Sequence, residues 1–161
     1  MKPTILITGS CGFIGFHLVN RLCSLNYQVV GVDNLNSYYD VKLKKNRLKI
    51  LLRNQNFRFF KINIKNKKNL YKDLIDVKID SIIHLAAQAG ARHSITYPQK
   101  YIDSNITGFL NVLELCKDKG IKLIIYSSSS SVYGKNVKTP YSESDRTDFP
   151  VSMYAVSKKT N

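Results

Sequence analysis

Acidic residues are scarce in this sequence, and tryptophan is absent. Only 11 Asp and Glu stand against 25 Lys and Arg, which gives a formal net charge of +14 over 161 residues. Such a charge is typical of proteins that bind nucleic acid or anionic membranes. However, 19 of the 25 cations are lysines, and they accompany 14 asparagines and 16 isoleucines, which indicates a general compositional bias on solvated surfaces. The lysines between Lys42 and Lys72 also lack the interleaved aromatic residues of an RNA-binding surface, so we expect no nucleic-acid partner.

Long apolar runs and paired cysteines are also missing. No run approaches the roughly 18 residues of a membrane-spanning helix, so we expect no membrane partner. Cys11, Cys23 and Cys116 show no paired spacing, which is typical of a reducing cytoplasm. Cys23 and Cys116 fall in apolar helical patterns and are expected to be buried, whereas Cys11 falls where we expect a side chain to be tolerated. The chain passes almost directly into its first strand, so we expect no targeting segment, and no His or Cys pair has metal-ligand spacing.

The most informative stretch is an apolar strand that runs through three glycines into an amphipathic helix. It reads Ile5-Leu6-Ile7-Thr8-Gly9-Ser10-Cys11-Gly12-Phe13-Ile14-Gly15, and the helix continues to about Leu25. Unpaired N–H groups and the helix dipole make such a helix start a site for a pyrophosphate. The glycines allow the tight turn, the approach of the phosphates and close helix–strand packing. The stretch predicts a dinucleotide site, and a glycine turn between core elements is the structural alternative.

A second strand, Gln28–Val32, ends in Asp33, which lies 18 residues after Gly15. A carboxylate at this place accepts hydrogen bonds from both ribose hydroxyls and repels a 2′-phosphate. The sequence therefore predicts NAD rather than NADP.

Strands and helices alternate along the rest of the chain. Further helices are predicted at about 40–53, 66–75, 97–119 and 152–161, and further strands at 57–61, 81–85 and 122–127. This alternation predicts an α/β fold with a doubly wound, Rossmann-like parallel sheet, which stops after the fifth strand and the start of another helix. The length and the 43% of hydrophobic residues predict a single domain.

Near the end of the chain, Tyr154 and Lys158 have the spacing i and i+4, which puts both on one face of the last helix. An ammonium beside a phenol favours the phenolate, which can act as a general base at neutral pH. The serine run Ser127–Ser131 follows the fifth strand directly, so its hydroxyls are expected at the carboxyl edge of the sheet, where ligands bind. An exposed helix face is the structural alternative for the Tyr-Lys pair.

These motifs together resemble the extended short-chain dehydrogenase/reductases, the NAD-dependent epimerases and dehydratases of nucleotide-sugars. The matching segments are Thr8–Gly15, Asp33–Asn36, His84–Ala87, Asp103–Asn105, Ser127–Ser129, Val132–Gly134 and Tyr154–Lys158. Within that family, Asp33–Asp40, Ala86–Arg92, Ser128–Gly134 and Ser142-Glu143 resemble the UDP-glucuronate 4-epimerase branch.

The resemblance implies roles for individual residues. It implies that Ser129, Tyr154 and Lys158 are catalytic, with Tyr154 as the base at the sugar 4-hydroxyl. It implies a cofactor site at Gly9, Gly12, Phe13, Ile14, Gly15, Asp33, Asn34, Asn36, Asn63, Ile64, Leu85, Ala86, Ala87, Gln88, Asn105, Tyr154 and Lys158. It implies that Arg92, Ser129, Ser130 and Ser131 bind the UDP-sugar, although a surface arginine is an equal interpretation of Arg92. Asn63 departs from the aspartate usual in the family, which predicts weaker NAD binding.

The serine run also separates the reactions of the family. Dehydratases resembling this chain carry Thr-Asp-Glu at the place of Ser129–Ser131, and related decarboxylases keep a glutamate at Ser131. Three hydroxyls cannot replace those carboxyl groups in an elimination of water. The resemblance therefore implies epimerisation at C4, of UDP-glucuronate or of another UDP-sugar, while a non-catalytic nucleotide-binding remnant is the alternative from a different class.

Members of the family run to about twice this length. We therefore interpret residues 1–161 as an incomplete NAD-binding Rossmann domain without its C-terminal substrate lobe, in the cytoplasm. The resemblance implies that the full-length form is a homodimer, and a separate C-terminal half is a further candidate partner.

Overall fold

Thr4–Thr8 forms the central strand of a five-stranded parallel sheet in the computed structural model, which describes residues 2–161. The strands are β1 (Thr4–Thr8), β2 (Gln28–Asp33), β3 (Phe57–Lys61), β4 (Ser81–His84) and β5 (Ile124–Tyr126). Their order across the sheet is β3-β2-β1-β4-β5. The order reverses at β1, which opens a crevice at the carboxyl ends of the strands. The predicted doubly wound α/β fold is confirmed.

Seven α-helices connect and follow these strands within residues 2–161. They are α1 (Phe13–Ser24), α2 (Val41–Leu51), α3 (Lys67–Leu74), α4 (Ala91–Thr96), α5 (Pro98–Tyr101), α6 (Gly108–Asp118) and α7 (Met153–Thr160). Side chains cap several N-termini: Asp40 accepts from the N–H of Lys42, and Ser152 accepts from the N–H of Ala155. Such caps satisfy backbone donors that no carbonyl of the helix can reach.

The long helix predicted at 97–119 is helical throughout from Pro98 to Asp118, but its centre is π-helical and not α-helical. A π-helical segment, Ile102–Thr107, lies between α5 and α6, and α4 precedes them as a separate short helix. Tyr97 has φ −129° and ψ 59°, outside the helical region, as expected for a residue before a proline. Pro98 then starts α5, where its missing N–H costs nothing. β5 is also shorter than predicted.

The continuous apolar character of the strands follows from burial on both faces of the sheet. Along β1, Leu6 joins a core with Leu70 and Leu115 of α3 and α6, whereas Ile7 joins a second core with Val19 of α1. A strand covered on both sides needs apolar residues at every position. The sheet is therefore held rigid under the crevice.

The three cysteines lie in buried environments. All three are free and buried, as expected for Cys23 and Cys116. The glycine loop accommodates the Cys11 side chain, which is fully buried beside Ser10. Burial raises the pKa of the Cys11 thiol to about 12, so it stays protonated at neutral pH.

The positive charge is concentrated in one segment of the chain. Residues 41–72, which include α2, β3 and α3, hold 12 of the 25 Lys and Arg and no Asp or Glu. β3 is an edge strand, and Arg58 and Lys61 are exposed on it. Cations on an edge strand discourage pairing with another chain. Among residues 2–161 no helix is both long and apolar enough to span a bilayer.

Candidate functional site

The carboxyl ends of β1, β2 and β4 meet at one point of the crevice. Thr8 is paired with Val32 on one side and with His84 on the other. Its hydroxyl accepts hydrogen bonds from the N–H groups of Leu85 (3.2 Å) and Ala86 (3.1 Å). Thr8 thereby fixes the loop after β4 against the glycine loop, a role that sequence analysis did not assign.

His84 completes this arrangement behind the crevice. The Thr8 hydroxyl lies 2.8 Å from Nδ1 of His84, and since its oxygen already accepts two N–H groups, it donates its proton to that nitrogen. Burial lowers the pKa of His84 to about 3, with a smaller contribution from the positive charge of Lys158. His84 is therefore a neutral structural residue.

The glycine loop has the geometry of an anion site. Gly9 has φ +74°, and its N–H donates to the carbonyl of Val32 at 2.7 Å. A Cβ at Gly15 would lie 2.1 Å from the Gly9 carbonyl oxygen, so only glycine allows α1 to approach the loop this closely. No side chain caps α1, and its first turn has no acidic residue. The first N–H groups of α1 therefore remain available to an anion.

Asp33 lies at the end of β2, buried and fixed by the backbone. One carboxylate oxygen accepts from the N–H of Cys11 at 3.1 Å, and the other accepts from the N–H of Leu35 at 2.8 Å. Each oxygen keeps a lone pair for a further donor. The carboxylate is therefore held ready to receive hydroxyl groups at the crevice.

A cleft of about 490 Å³ runs past these groups. It is lined by most of the residues to which the resemblance gave a cofactor role: Gly9, Gly12, Phe13, Ile14, Gly15, Asp33, Asn34, Asn36, Ile64, Leu85, Ala86, Ala87 and Gln88. Asn63 lines an adjacent polar cavity of about 470 Å³ instead, which also contacts Gln88. Asn105 is buried behind the wall of the cleft and bonds to the backbone of Gln88.

Sequence analysis missed part of one wall of the cleft, which comes from residues 38–40 and from α2. Lys44 is buried, and its ammonium donates to Oδ1 of Asn36 at 2.9 Å. Arg47 lines the same wall, with its guanidinium 6.0 Å from the rings of Phe13 and Phe16. These two cations face a cleft that already holds the Asp33 carboxylate. Lys42 and Lys45 on the same helix are exposed. Lys44 differs from them only in its position around α2, which begins at the cap Asp40.

A row of aromatic rings joins this wall to the last helix. Tyr38 lies 4.9 Å from His93 in a T-shaped pair, and Tyr101 lies 6.0 Å from Tyr154. The Tyr101 hydroxyl lies 2.7 Å from the carbonyl oxygens of both Ala89 and Gly90. Burial raises the pKa of Tyr101 to about 12, so this phenol remains a donor.

The predicted catalytic pair lies on α7, outside the lining of the cleft. Lys158 is buried, and its ammonium donates to the carbonyl of Ser127 at 2.7 Å; Ser127 itself lines the cleft. Burial lowers the pKa of Lys158 below its usual value. α7 also packs against the 3₁₀ turn Ser130–Tyr133.

The predicted substrate residues are less closely assembled. Ser129 accepts from the N–H of Ser131 and lies 3.1 Å from its hydroxyl, in the loop after β5. Ser129, Ser130 and Ser131 line neither cavity described above, and Arg92 is exposed on α4. Across residues 2–161 no group of three His, Cys, Asp or Glu side chains is placed to hold a metal ion.

The residues present fit a dinucleotide. The glycine loop leaves room and free N–H groups for a pyrophosphate, and Asp33 offers acceptors for a ribose. Gln88 adds a buried Nε2 without a hydrogen-bond partner in the part of the chain that the structure describes. A sheet that reverses at β1, with these groups at the crevice, defines a Rossmann-type α/β fold whose crevice suits a nucleotide.

The particular family follows from comparison with known proteins. The chain matches the family described as GDP-mannose 4,6 dehydratase over residues 6–161 and belongs to it. This confirms the resemblance to NAD-dependent epimerases and dehydratases that the motifs carry.

Proteins named as UDP-glucuronate 4-epimerases are among the relatives and solved structures similar to this chain. The chain is 49% identical to protein CapI of Staphylococcus aureus over 157 residues, covering 98% of this chain and 47% of CapI. It is 45% identical to UDP-glucuronate 4-epimerase 1 of Arabidopsis thaliana, covering 97% of this chain and 36% of the relative. A solved structure of UDP-glucuronic acid 4-epimerase from Bacillus cereus, in complex with UDP-glucuronic acid and NAD, is similar with a TM-score of 0.84 and 37% identity, over 98% of this chain and 49% of that one. The chain thus spans about half the length of CapI and of the Bacillus cereus enzyme, and about a third of the Arabidopsis relative.

Proposed function

We propose that this chain is the NAD-binding part of a UDP-glucuronate 4-epimerase that inverts C4 through transient oxidation. The observation that carries the proposal is Asp33, held by two backbone N–H groups beside a glycine loop whose helix start is free of acidic residues. The 45% identity to an Arabidopsis enzyme named UDP-glucuronate 4-epimerase supports the substrate. The three buried free cysteines favour a reducing compartment, the cytoplasm.

The glycine loop and Asp33 would hold NAD⁺, which would supply the acceptor and donor of the C4 hydride. Tyr154 takes the proton of the sugar 4-hydroxyl and gives it back after the hydride returns. Lys158 binds the nicotinamide ribose, and Ser129 donates to the 4-oxygen. Ser130, Ser131 and Arg92 bind the uronate carboxylate. The site is completed by a C-terminal half, as a continuous or a separate chain, and the complete protein is a homodimer.

Residues 1–161 form one nucleotide-binding domain in this proposal, and the sugar is recognised mainly by the C-terminal half. We expect the chain alone to bind NADH and to show no epimerase activity. This chain is 49% identical to the part of CapI that it matches. A hybrid of this chain with the C-terminal half of CapI is expected to convert UDP-glucuronate. Conversion of UDP-glucuronate, UDP-glucose or UDP-N-acetylglucosamine would each show that residues 1–161 supply the groups for C4 epimerisation, because the CapI half selects the sugar. NADH binding by a correctly folded hybrid that converts none of the three would favour the non-catalytic alternative.

Variants of the same hybrid test the assigned roles. Tyr154→Phe is expected to remove most of the activity, and Lys158→Met is expected to lower it. Tyr141→Phe is the matched control, because Tyr141 stacks on Tyr133 at 4.4 Å and the ring alone maintains that contact. A near-normal kcat for Tyr154→Phe would show that Tyr154 is not the base.

A further inference from the structure

Asn105 uses its whole side chain to join two parts of the site. Its Oδ1 accepts from the N–H of Gln88 at 2.7 Å. Its Nδ2 donates to the carbonyl of Gln88 at 3.0 Å and to the hydroxyl of Ser157 at 2.9 Å. The side chain is buried in the π-helical segment, so none of these bonds is exchanged with water. Both peptide groups of Gln88 are thereby held by one residue.

Ser157 is the other end of this connection. It is fully buried on α7, between Tyr154 and Lys158 in sequence. Its hydroxyl accepts from Asn105 and donates to the carbonyl of Tyr154 at 2.8 Å. Alanine at this position would leave a buried N–H of Asn105 without an acceptor, which a structure normally avoids.

The connection reaches the ligand side of the cleft through Gln88. Its side chain lines the cleft, and its Nε2 has no partner within residues 2–161. An acceptor on a bound ligand would order this side chain, while Asn105 grips the backbone of the same residue. The Asn105 side chain thus connects the loop that contains Gln88 directly to Ser157 of α7.

We propose that Ser157 is a positioning residue, which couples α7, through Asn105, to the loop at Gln88, so that an occupied cleft steadies Tyr154 and Lys158. The inference rests on the NAD site proposed above. Lys158 provides a separate tether to Ser127 at the end of β5. Adjacent residues project about 100° apart around a helix, so the two tethers together fix the rotation of α7 about its axis.

Hydrogen exchange measured by mass spectrometry on the 161-residue chain, with and without saturating NADH, tests the coupling without any activity assay. In the unmodified chain, NADH is expected to protect the glycine loop and residues 85–90. It is also expected to slow exchange of the α7 amides about fivefold, the factor that corresponds to one net hydrogen bond. In Ser157→Ala, protection of the two loops is expected to remain while the slowing in α7 is lost. Ser157→Thr, which keeps the hydroxyl, is expected to restore it.

Ser152→Ala is the matched control, since it removes another hydroxyl from α7, the N-cap, without touching Asn105. Its α7 amides are expected to exchange faster in both states but to keep the NADH response. A full response in Ser157→Ala, or an unresponsive α7 in the unmodified chain whose loops are protected, would overturn the coupling. Failure of NADH to protect even the glycine loop would overturn the cofactor assignment, and the inference with it.

Discussion

The carboxylate of Asp33 accepts a hydrogen bond from the N–H of Cys11 at 3.1 Å, across 22 residues of sequence. This bond joins the end of β2 to the glycine loop, and its partner bond from Leu35 fixes the other oxygen. Asp33 therefore does two things at once: it shapes the loop and it offers acceptors to a ribose. A substitution at Asp33 acts on both, and the two effects need separate measurements.

Asp33→Asn is expected to weaken NADH binding by about 1–3 kcal/mol, because a charge-assisted hydrogen bond to the ribose is lost. It is also expected to lower the free energy of unfolding, since the amide has one acceptor oxygen for two backbone N–H groups. Titration calorimetry measures the first effect and chemical denaturation the second. The unmodified chain is expected to prefer NADH to NADPH.

Asp40→Asn is the control for this prediction. Asp40 lines the same cleft and caps α2, and asparagine is an equally good cap. The substitution removes one negative charge from the cleft and leaves the ribose acceptors in place. NADPH binding as tight as NADH binding in the unmodified chain, or equal losses in the two variants, would contradict the role of Asp33.

Gly15→Ala is expected to lower the free energy of unfolding by about 1–3 kcal/mol, as for other overpacked sites, and to abolish NADH binding. Alanine normally favours a helix interior over glycine, but its Cβ would lie 2.1 Å from the Gly9 carbonyl oxygen. Gly12→Ala is the milder control, because its Cβ would lie 3.1 Å from the same oxygen and its φ of −69° suits alanine. A stabilised Gly15→Ala variant with normal binding would show that the loop and α1 are not in close contact.

Local sequence patterns were sufficient for the parts of the site that depend on local structure. β1 and β3 have the predicted bounds, because an apolar run between turn residues has few alternatives. The glycine loop and Asp33 lie together at the carboxyl edge because the doubly wound order places the ends of β1 and β2 side by side.

The rest of the site depends on contacts that sequence spacing does not encode. Lys44 has the same sequence neighbourhood as the exposed Lys42 and Lys45, and only packing of α2 turns it into the cleft. Asn105 lies in a helix that the pattern predicts, but its bonds to Gln88 and Ser157 join residues far away in the chain. Cys11 is buried because its loop folds back on β2, which a glycine pattern does not reveal.

The neutral state of His84 predicts a loss of stability in mild acid. Its pKa is about 3 in the folded state and about 6.5 when unfolded, so below pH 6.5 only the unfolded chain binds the proton. Stability from this residue is complete above pH 6.5 and falls as the pH drops toward 3. The contribution to the decrease in unfolding free energy between pH 8 and pH 5 is expected to be about 2 kcal/mol.

Denaturation of His84→Asn at both pH values checks this. The variant is expected to be less stable at pH 8, but its decrease toward pH 5 is expected to be smaller by that amount. His17→Asn is the control, because it removes an imidazole from an exposed position of α1 and not from the core. If His84→Asn lost as much stability as the unmodified chain on acidification, another group would be responsible.

The exposed face of β5 predicts self-association of the isolated chain. Ile125 is 54% exposed and Tyr126 43% exposed on a strand that has a neighbour, β4, on one side only. An apolar edge strand is a template for pairing with another chain. Ile125→Thr is expected to shift sedimentation toward the monomer while changing the free energy of unfolding by less than about 0.5 kcal/mol, as at other surface positions.

Ile83→Thr is the control at the paired position on β4, where the side chain packs on the core below α1, and it is expected to destabilise the fold by about 1–3 kcal/mol. A chain that is already monomeric at high concentration, or an Ile125→Thr variant as unstable as Ile83→Thr, would show that β5 is covered.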